Sequence, residues 1–501
     1  MIRFIRRPRT AAALALAVAV SGCAVGPSYQ ATPAAAPGVQ VGAARTADTT
    51  RAFFDSLTQA RRAAPAGAAP AGPATPATRP VTMDALADLA WLDILNDTVL
   101  TGLVRTAVAQ NRDVVLARAR IAEYRANADA VTGALFPRVN LNSSVARQQA
   151  VFGASPPVQF DALRVTSDVS WELDFWGRAR RGLFAVTADL ASQRAAERAA
   201  VLSLVSDVAT GYLQLLELDQ EHDIAERALA LRRATLTLAQ QRFAQGVVSE
   251  LDVRQFEAQI GVPAARLAQV ERLRAQQEHA LNVLLGESPM AVRRGGSLLA
   301  ASRSVTAPDS LPGTLLQRRP DVAQAERAYA AATARIGIAE AARFPAVTLS
   351  GFYGTQSPAG NRLFATGSEV YSLQAGLSFP LYTGGRLKNE ALAARARADQ
   401  ARAVYERTAL TALREAGDAL VGVRSARDEV MAIETQVGAL QRAFELAQLR
   451  YQSGISNYLE VLDAQRGLFD AELALSQARL RQLTSAVQLY KALGGSWTTT
   501  P

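Results

Sequence analysis

The sequence predicts an α+β membrane protein made of two internal repeats, each a β-hairpin joined to long antiparallel coiled-coil helices. Three observations carry this reading. Residues 113–286 and 321–494 hold a constant offset of 208 positions. Asp113 matches Asp321, Phe136-Pro137 matches Phe344-Pro345, Gly177-Arg178 matches Gly385-Arg386, and Leu285-Gly286 matches Leu493-Gly494. Unrelated helices would not keep Pro and Gly punctuation in step, so the register means duplicated architecture. Each copy also switches from helical period to strict alternation and back. Finally, proline is absent between Pro157 and Pro263 and between Pro380 and Pro501, leaving room for helices far longer than a globular domain uses.

In chain order, residues 1–22 read as a signal peptide. Arg3, Arg6, Arg7 and Arg9 precede an apolar run, Ala11 to Val20, too short for a stable bilayer span. The run ends in Ser21-Gly22-Cys23, and Cys23 is the only cysteine. This placement resembles the lipobox of bacterial lipoproteins and predicts lipid attachment at Cys23. Ala24 in place of Asp favours the outer membrane, by resemblance to lipoprotein sorting patterns. A lone cysteine excludes an intrachain disulfide, and two or three acyl chains would anchor stably where one is marginal. Removing the leader lowers the formal charge from +9 to +5, because it carries four arginines and no acid. The remaining excess is spread along helices without a basic patch interleaved with aromatics, so no nucleic-acid partner is expected.

Residues 23–90 read as a lipid-anchored extended tether, or a strap laid over the folded body, with Pro70, Pro73, Pro76 and Pro80 close together. Repeat 1 covers 91–286, with a helix from about Asp97 to Leu135 stopped by Phe136-Pro137. Strands follow at about 137–150, where Val139, Leu141 and Val145 alternate, and about 163–175, where Val165, Val169, Trp171, Leu173 and Phe175 alternate. Residues 287–318 form a Gly/Pro/Ser-rich connector. Repeat 2 covers 319–494, with strands at about 345–357 and 370–382, before a tail at 495–501. No later apolar run predicts a transmembrane helix. About ten residues per strand suits a tilted transmembrane β-strand. Alternation alone fits a soluble half-buried sheet as well, and the exported, lipidated context turns the reading toward membrane. Four strands do not close a barrel, and open edges do not sit in lipid, so a membrane reading requires several chains; three would supply twelve strands.

After each strand pair the apolar positions take coiled-coil spacing: Val423, Val430, Val437, Phe444 and Tyr451 outward, Leu459, Leu462, Phe469, Leu473, Leu480 and Val487 on the return. The hairpin tips fall at 244–252 and 452–460. Gly246 and Gly454 stand where a left-handed helix terminator belongs. Ser249 to Asp252 and Asn457 to Glu460 have capping-box spacing, so capping accounts for at least part of the role of Asp252 and Glu460. Asp463 lies a turn beyond the cap, on the face of Leu459. Surface solvation explains it plainly; the sharper alternative is a ring of acids about an oligomer axis with Leu459 as apolar constriction.

Several motifs together resemble the TolC-type outer-membrane efflux channels, nearest the OprM/NodT lipoprotein branch. They are Cys23 in its lipobox, Ser170-Trp171-Glu172-Leu173-Asp174-Phe175-Trp176-Gly177-Arg178, Leu316-Gln317-Arg318-Arg319-Pro320-Asp321, Tyr458-Leu459-Glu460-Val461-Leu462-Asp463-Ala464-Gln465-Arg466, and Leu489-Tyr490-Lys491-Ala492-Leu493-Gly494-Gly495. The resemblance implies a homotrimer with a joint twelve-stranded barrel, an α-helical periplasmic tunnel, and a belt formed by the connector and termini. It implies an exit duct working with an inner-membrane pump and a periplasmic adaptor. Leu459 and Asp463, with the neighbouring acids Glu460 and Asp252, would form the periplasmic gate. The grooves around Gly246, Val247, Leu251, Gly454 and Ile455 would receive the adaptor's helical hairpin. The chain departs from the family at Ser456, where some members carry arginine, which removes the cation of an ion-pair lock from that place.

Two other classes compete. A purely structural coiled-coil lipoprotein would show no conductance. An enzyme is disfavoured, because His222 and His279 are the only histidines, both on predicted helices, without paired-His metal spacing, nucleophile elbow or phosphate loop. No cofactor or metal is expected. The exported substrate, the particular pump and the physiological role are not written in the sequence.

Overall fold

The computed structural model describes residues 25–27, 29, 97–150, 157–302, 315–456 and 458–495. The predicted leader, Cys23, most of the 23–90 tether, part of the 287–318 connector, Asn457 and residues 496–501 lie outside these. The chain divides into two compact units. One holds residues 1–31, 120–194 and 324–406; the other holds 32–119, 195–323 and 407–501.

The first unit contains the sheet. Strands β1 (Arg138–Ala150), β2 (Val158–Leu173), β3 (Ala346–Ser357) and β4 (Glu369–Ser378) pair antiparallel in the order β1-β2-β3-β4. Each repeat supplies one hairpin, and the β2–β3 ladder joins the copies, from Leu163 opposite Ser357 to Leu173 opposite Val347. β2 starts at Val158, ahead of the alternation at 163–175, because Gln159 to Leu163 pair with Gln149 to Val145. β4 ends at Ser378, although alternation runs on to Leu381. Pro380 has no N–H to give the ladder. Small residues pack the helical part of this unit: Ala332, Ile336, Ala394 and Ala398 form one cluster, and Ala188, Ala330 and Ala331 another, against Tyr29.

Helices α1 (Thr98–Gln110) and α2 (Arg112–Thr132) replace the single helix expected from Asp97 to Leu135. The break is Asn111, whose Oδ1 accepts from the amides of Asp113 (2.9 Å) and Val114 (3.2 Å), capping α2, while Nδ2 donates to Leu284 O at 3.0 Å. Its repeat counterpart Arg319 also breaks a helix and donates to Ala492 O at 3.2 Å. Leu284 and Ala492 are themselves counterparts, so the duplication preserves a tertiary bond while the donor changes type. Gly286 (φ 75°) and Gly494 (φ 82°) close these corners, and a Cβ at Gly286 would lie 2.6 Å from Gln110 O.

Two long hairpins follow: α3 (Arg178–Ala244) with α4 (Glu250–Leu285), and α6 (Arg386–Gln452) with α7 (Tyr458–Ala492); α5 (Pro320–Ala341), the second copy's counterpart of α2, comes before the second hairpin in the chain. α3 and α6 are 67 residues each. α3 contains a stretch long and apolar enough to cross a membrane. Its Val205, Val208, Tyr212, Leu213 and Leu216 are instead buried in the second unit's main core, with Leu100, Val104, Leu285, Leu483 and Val487. That assigns it as a core helix.

Candidate functional site

The sheet has two unlike faces, set by the register. On one side lie Val139, Leu141 and Val145 of β1, Leu163, Val165, Val169 and Trp171 of β2, Val347, Leu349 and Tyr353 of β3, and Tyr371, Leu373 and Leu377 of β4. The outer strands' side chains are left bare, Leu141, Tyr371 and Leu373 each close to 80% exposed, while Leu163, Val165, Trp171, Val347 and Leu349 between them are half-buried. On the other side lie Arg138, Asn140, Asn142, Arg164, Thr166, Asp168, Ser170, Gln356 and Gln374. They bond among themselves, Asn142 to Asp168, and Arg164 lies 4.1 Å over the Phe352 ring. A water-soluble protein would turn the apolar face inward, so this inversion is the pattern of a lipid-facing strand. The apolar part of β2, Leu163 to Leu173, runs about 33 Å along the strand at about 3.3 Å per residue. Tilted by about 40°, it covers about 25 Å of bilayer. Beyond it stands an ion pair, Arg147 Nε to Asp161 Oδ1 at 2.8 Å. At the opposite rim Trp176 stacks on Phe344 (4.8 Å, 24°) and donates Nε1–H to Pro345 O at 2.7 Å. Among the described residues, β1 and β4 are the free edges of the sheet.

In the second unit the two tips are built alike. α3 closes with Gly246 at φ 74°, Gly246 N donating to Phe243 O (2.8 Å) and Val247 N to Arg242 O (2.9 Å). α6 closes with Gly454 at φ 74°, Gly454 N donating to Tyr451 O (3.1 Å) and Ile455 N to Arg450 O (2.9 Å). Both are left-handed terminators with a long 6→1 bond. α4 then starts in a capping box: Asp252 N donates to Ser249 Oγ (3.3 Å), and Ser249 N to Asp252 Oδ2 (3.0 Å). The matching position before α7, Asn457, lies outside the described residues; Glu460 in the first turn of α7 pairs with Arg450 at 3.4 Å.

The residues singled out from the sequence fall into two groups. Val247 (67% exposed), Leu251 (65%), Ile455 (71%) and Leu459 (57%) present apolar side chains to solvent beside Gly246 and Gly454. Leu459 has the spacing of the buried seam but is not in it. Asp463 is exposed, one turn from Leu459, whereas Asp252 is engaged in its capping box. Beneath them Phe256, Ala239, Ala447, Tyr451 and Val461 form a small buried core that joins the two hairpins.

One contact at the tips was not legible in the sequence. Arg242 donates to Tyr451 O and Gln452 O (both 3.3 Å), the last carbonyls of α6, and lies 4.6 Å over the Tyr451 ring. A cation at a helix C-terminus satisfies orphan carbonyls and opposes the negative dipole end. Its counterpart Arg450 stays within its own hairpin. Among the described residues, His222, Asp223 and Glu226 bring donor atoms within 4.8 Å of each other. Positions i, i+1 and i+4 of one helix give that proximity by themselves, so it carries no metal assignment.

A family model described as outer membrane efflux protein matches residues 103–287 and 311–495, two stretches displaced by the same 208 residues as the repeat. The toluene efflux pump outer membrane protein TtgC of Pseudomonas putida is 34% identical over 420 residues, covering 82% of this chain and 86% of that protein. The solved outer-membrane channel OprN is 30% identical, with a TM-score of 0.75 over 85% of this chain and 99% of its own. The open-state MtrE outer membrane channel of Neisseria gonorrhoeae is 29% identical, with a TM-score of 0.73 over 79% and 89%. With its duplicated hairpins, outward-facing apolar sheet and paired tips, the chain therefore belongs to the outer membrane efflux protein family, and it acts as an outer-membrane efflux channel.

Proposed function

We propose that three copies of this chain form the exit duct of a tripartite efflux system, with a joint twelve-stranded barrel and a periplasmic iris of six hairpin tips. The observation that carries this is the inverted sheet with two free edges, β1 and β4. Open edges in lipid leave N–H and C=O groups unpaired at several kcal/mol each, and pairing β4 of one copy with β1 of the next removes every one of them. The polar face then lines a wet lumen. The bare apolar face meets lipid, and acyl chains on Cys23 add an anchor. The role of a structural spacer is disfavoured, because a spacer has no use for such a face.

In this reading Leu459 and Asp463 form the closed gate, Leu459 narrowing the pore and Asp463 adding a ring of charge, with Glu460 and Asp252 nearby. The exposed Val247, Leu251 and Ile455, beside Gly246 and Gly454, are the adaptor's contacts, and an inner-membrane pump supplies energy and substrate. Docking would bias a two-state iris. The test is planar-bilayer conductance of the purified protein beside a Leu459→Ala, Asp463→Ala double variant. The expected result is a small wild-type conductance that rises sharply in the variant. Silence from both folded proteins would sink the channel reading, and equal conductance would move the gate away from the second tip.

A further inference from the structure

α4 runs unbroken from Glu250 to Leu285 with a proline inside it, Pro263. Proline has no N–H for the carbonyl one turn back, and that carbonyl belongs to Gln259. The orphan is taken up from another helix: Arg232 of α3 donates Nη1–H to Gln259 O at 2.7 Å. Arg232 is buried, and its guanidinium stands 5.5 Å over the ring of Phe469 on α7, in the second hairpin. Two positions before the proline stands Gly261. A Cβ there would meet nothing within 4 Å, so no close packing asks for glycine. Glycine and proline are the weakest helix formers, and α4 places them together at one level.

The repeat supplies an internal comparison. At the offset of 208, Arg232, Gln259, Gly261 and Pro263 correspond to Leu440, Gly467, Phe469 and Ala471. In the second hairpin a Cβ on Gly467 would stand 3.4 Å from Leu440 Cδ2, an ordinary apolar contact where the first has an arginine on a carbonyl. α7 holds no proline, so its ladder is continuous where that of α4 lacks a bond. One return helix is a rod, and the other is a rod with a break.

The part of α4 below the break, Glu250 to Val262, is about 20 Å long at about 1.5 Å per residue. It carries the exposed Leu251 at its end, next to Val247 in the turn. Along it, Phe256 is buried in one core with Tyr451 and Val461 of the second hairpin. Val461 lies on α7 between Leu459 and Asp463. We propose that this segment is a hinged arm, with Pro263 as its pivot and Arg232 as the positioning residue that holds it in one setting. Docking at Val247 and Leu251 pulls the arm about Pro263, and the core shared by Phe256 and Val461 passes the displacement to Leu459 and Asp463. The first tip is the lever, and the second is the gate. The proposal rests on the gate and adaptor-contact reading of the tips.

Hydrogen exchange of the full chain in lipid nanodiscs reads the arm directly, with residues 458–470 as the internal reference. Pro263→Ala returns a helical partner to Gln259 O and strengthens α4, so exchange over residues 250–262 should slow about tenfold. Arg232→Leu removes the donor to Gln259 O and should speed that exchange about tenfold. Arg232→Lys keeps a donor and should stay near wild type. The decisive comparison is Arg232→Leu in the Pro263→Ala background, where Gln259 O is already satisfied and most of the effect should vanish. An equal effect of Arg232→Leu in both backgrounds would make Arg232 a packing residue on Phe469 and overturn the hinge. Arm exchange unchanged by Pro263→Ala would overturn it too, and decides alone if Arg232→Leu does not fold. Planar-bilayer recordings read the coupling: openings should become rarer in Pro263→Ala and more frequent in Arg232→Leu. Altered exchange with unaltered openings would overturn the arm's part in gating. Equal conductance of wild type and the Leu459→Ala, Asp463→Ala variant would instead remove the gate reading, while exchange still reports on the hinge.

Discussion

Glu217 on α3 is buried at 6% exposure, with Oε1 unpaired, and it faces Glu221 one turn on. Glu221 is held by Arg266 Nη2 at 2.5 Å from α4 and Gln477 Nε2 at 3.3 Å from α7, with Ser476 beside Glu217. Burial, and then the Glu221 charge, push the Glu217 carboxyl from 4.5 up to about 8, while Arg266 pulls weakly the other way. The unfolded chain therefore loses this proton first. The folded state is favoured below about pH 4.5, loses stability as pH rises, and has lost this contribution in full above about pH 8. The gap corresponds to a few kcal/mol, on the order of 3 to 5. Glu217→Gln keeps the shape and has no proton to lose, so its stability should be flatter across this range and higher than wild type near pH 9. Thermal melts of the detergent-solubilised full chain at about pH 5, 7 and 9 measure this. Glu472 is also raised by burial and adds a slope of the same sign, so the difference between the two proteins is the readout. Parallel pH profiles for wild type and Glu217→Gln would refute the reasoning.

Phe256, 3% exposed in the core beneath the tips, should cost about 3 to 5 kcal/mol as Phe256→Ala. Hydrogen exchange should then speed up at the tip amides and stay unchanged around Leu213, which belongs to a separate core. Gly286→Ala and Gly246→Ala form a matched pair, since φ is 75° and 74°. Only Gly286 has backbone 2.6 Å from a built Cβ, whereas Gly246 has nothing within 4 Å. Gly246→Ala should therefore show the left-handed penalty alone, about 1 kcal/mol. Gly286→Ala should lose far more, read as the yield of folded protein. Equal losses would show that Gln110 moves aside freely.

What was legible in the sequence was whatever repeats or alternates. The offset of 208 gave the duplication, the period of two gave strands with unlike faces, and proline-free runs gave the long helices. Long-range capping left no such trace. Nothing in the composition of residues 97–135 forbids one helix; it breaks because Asn111 finds both the α2 amides and a carbonyl 173 residues away. Leu459 has the heptad spacing of its seam, yet spacing does not tell where a seam frays, and at the tip the side chain is exposed. Arg242 reads as a surface cation at a helix end. Its acceptors are 209 and 210 residues off, so the bridge appears only once the two hairpins lie side by side.

That bridge bears on how a duplicated chain would make the proposed ring. In the proposed trimer, copies equivalent at every contact would make the seam between hairpins of one chain and the seam between neighbouring chains chemically the same, and nothing would distinguish a seam that holds from one that parts. At the tips the chain breaks this equivalence at one pair of counterparts, Arg242 and Arg450. Arg242 crosses to the end of α6 and ties the first tip to the second, while Arg450 turns back to Glu460 in its own hairpin. The within-chain seam thus has a cation on two helix carbonyls and a shared apolar core at Phe256, Tyr451 and Val461. On the second tip, Arg450 is engaged within its own hairpin, and position 456 is serine. In the proposed trimer, duplication would supply six similar rods, and the tie from Arg242 to the end of α6 marks the two that belong to one chain.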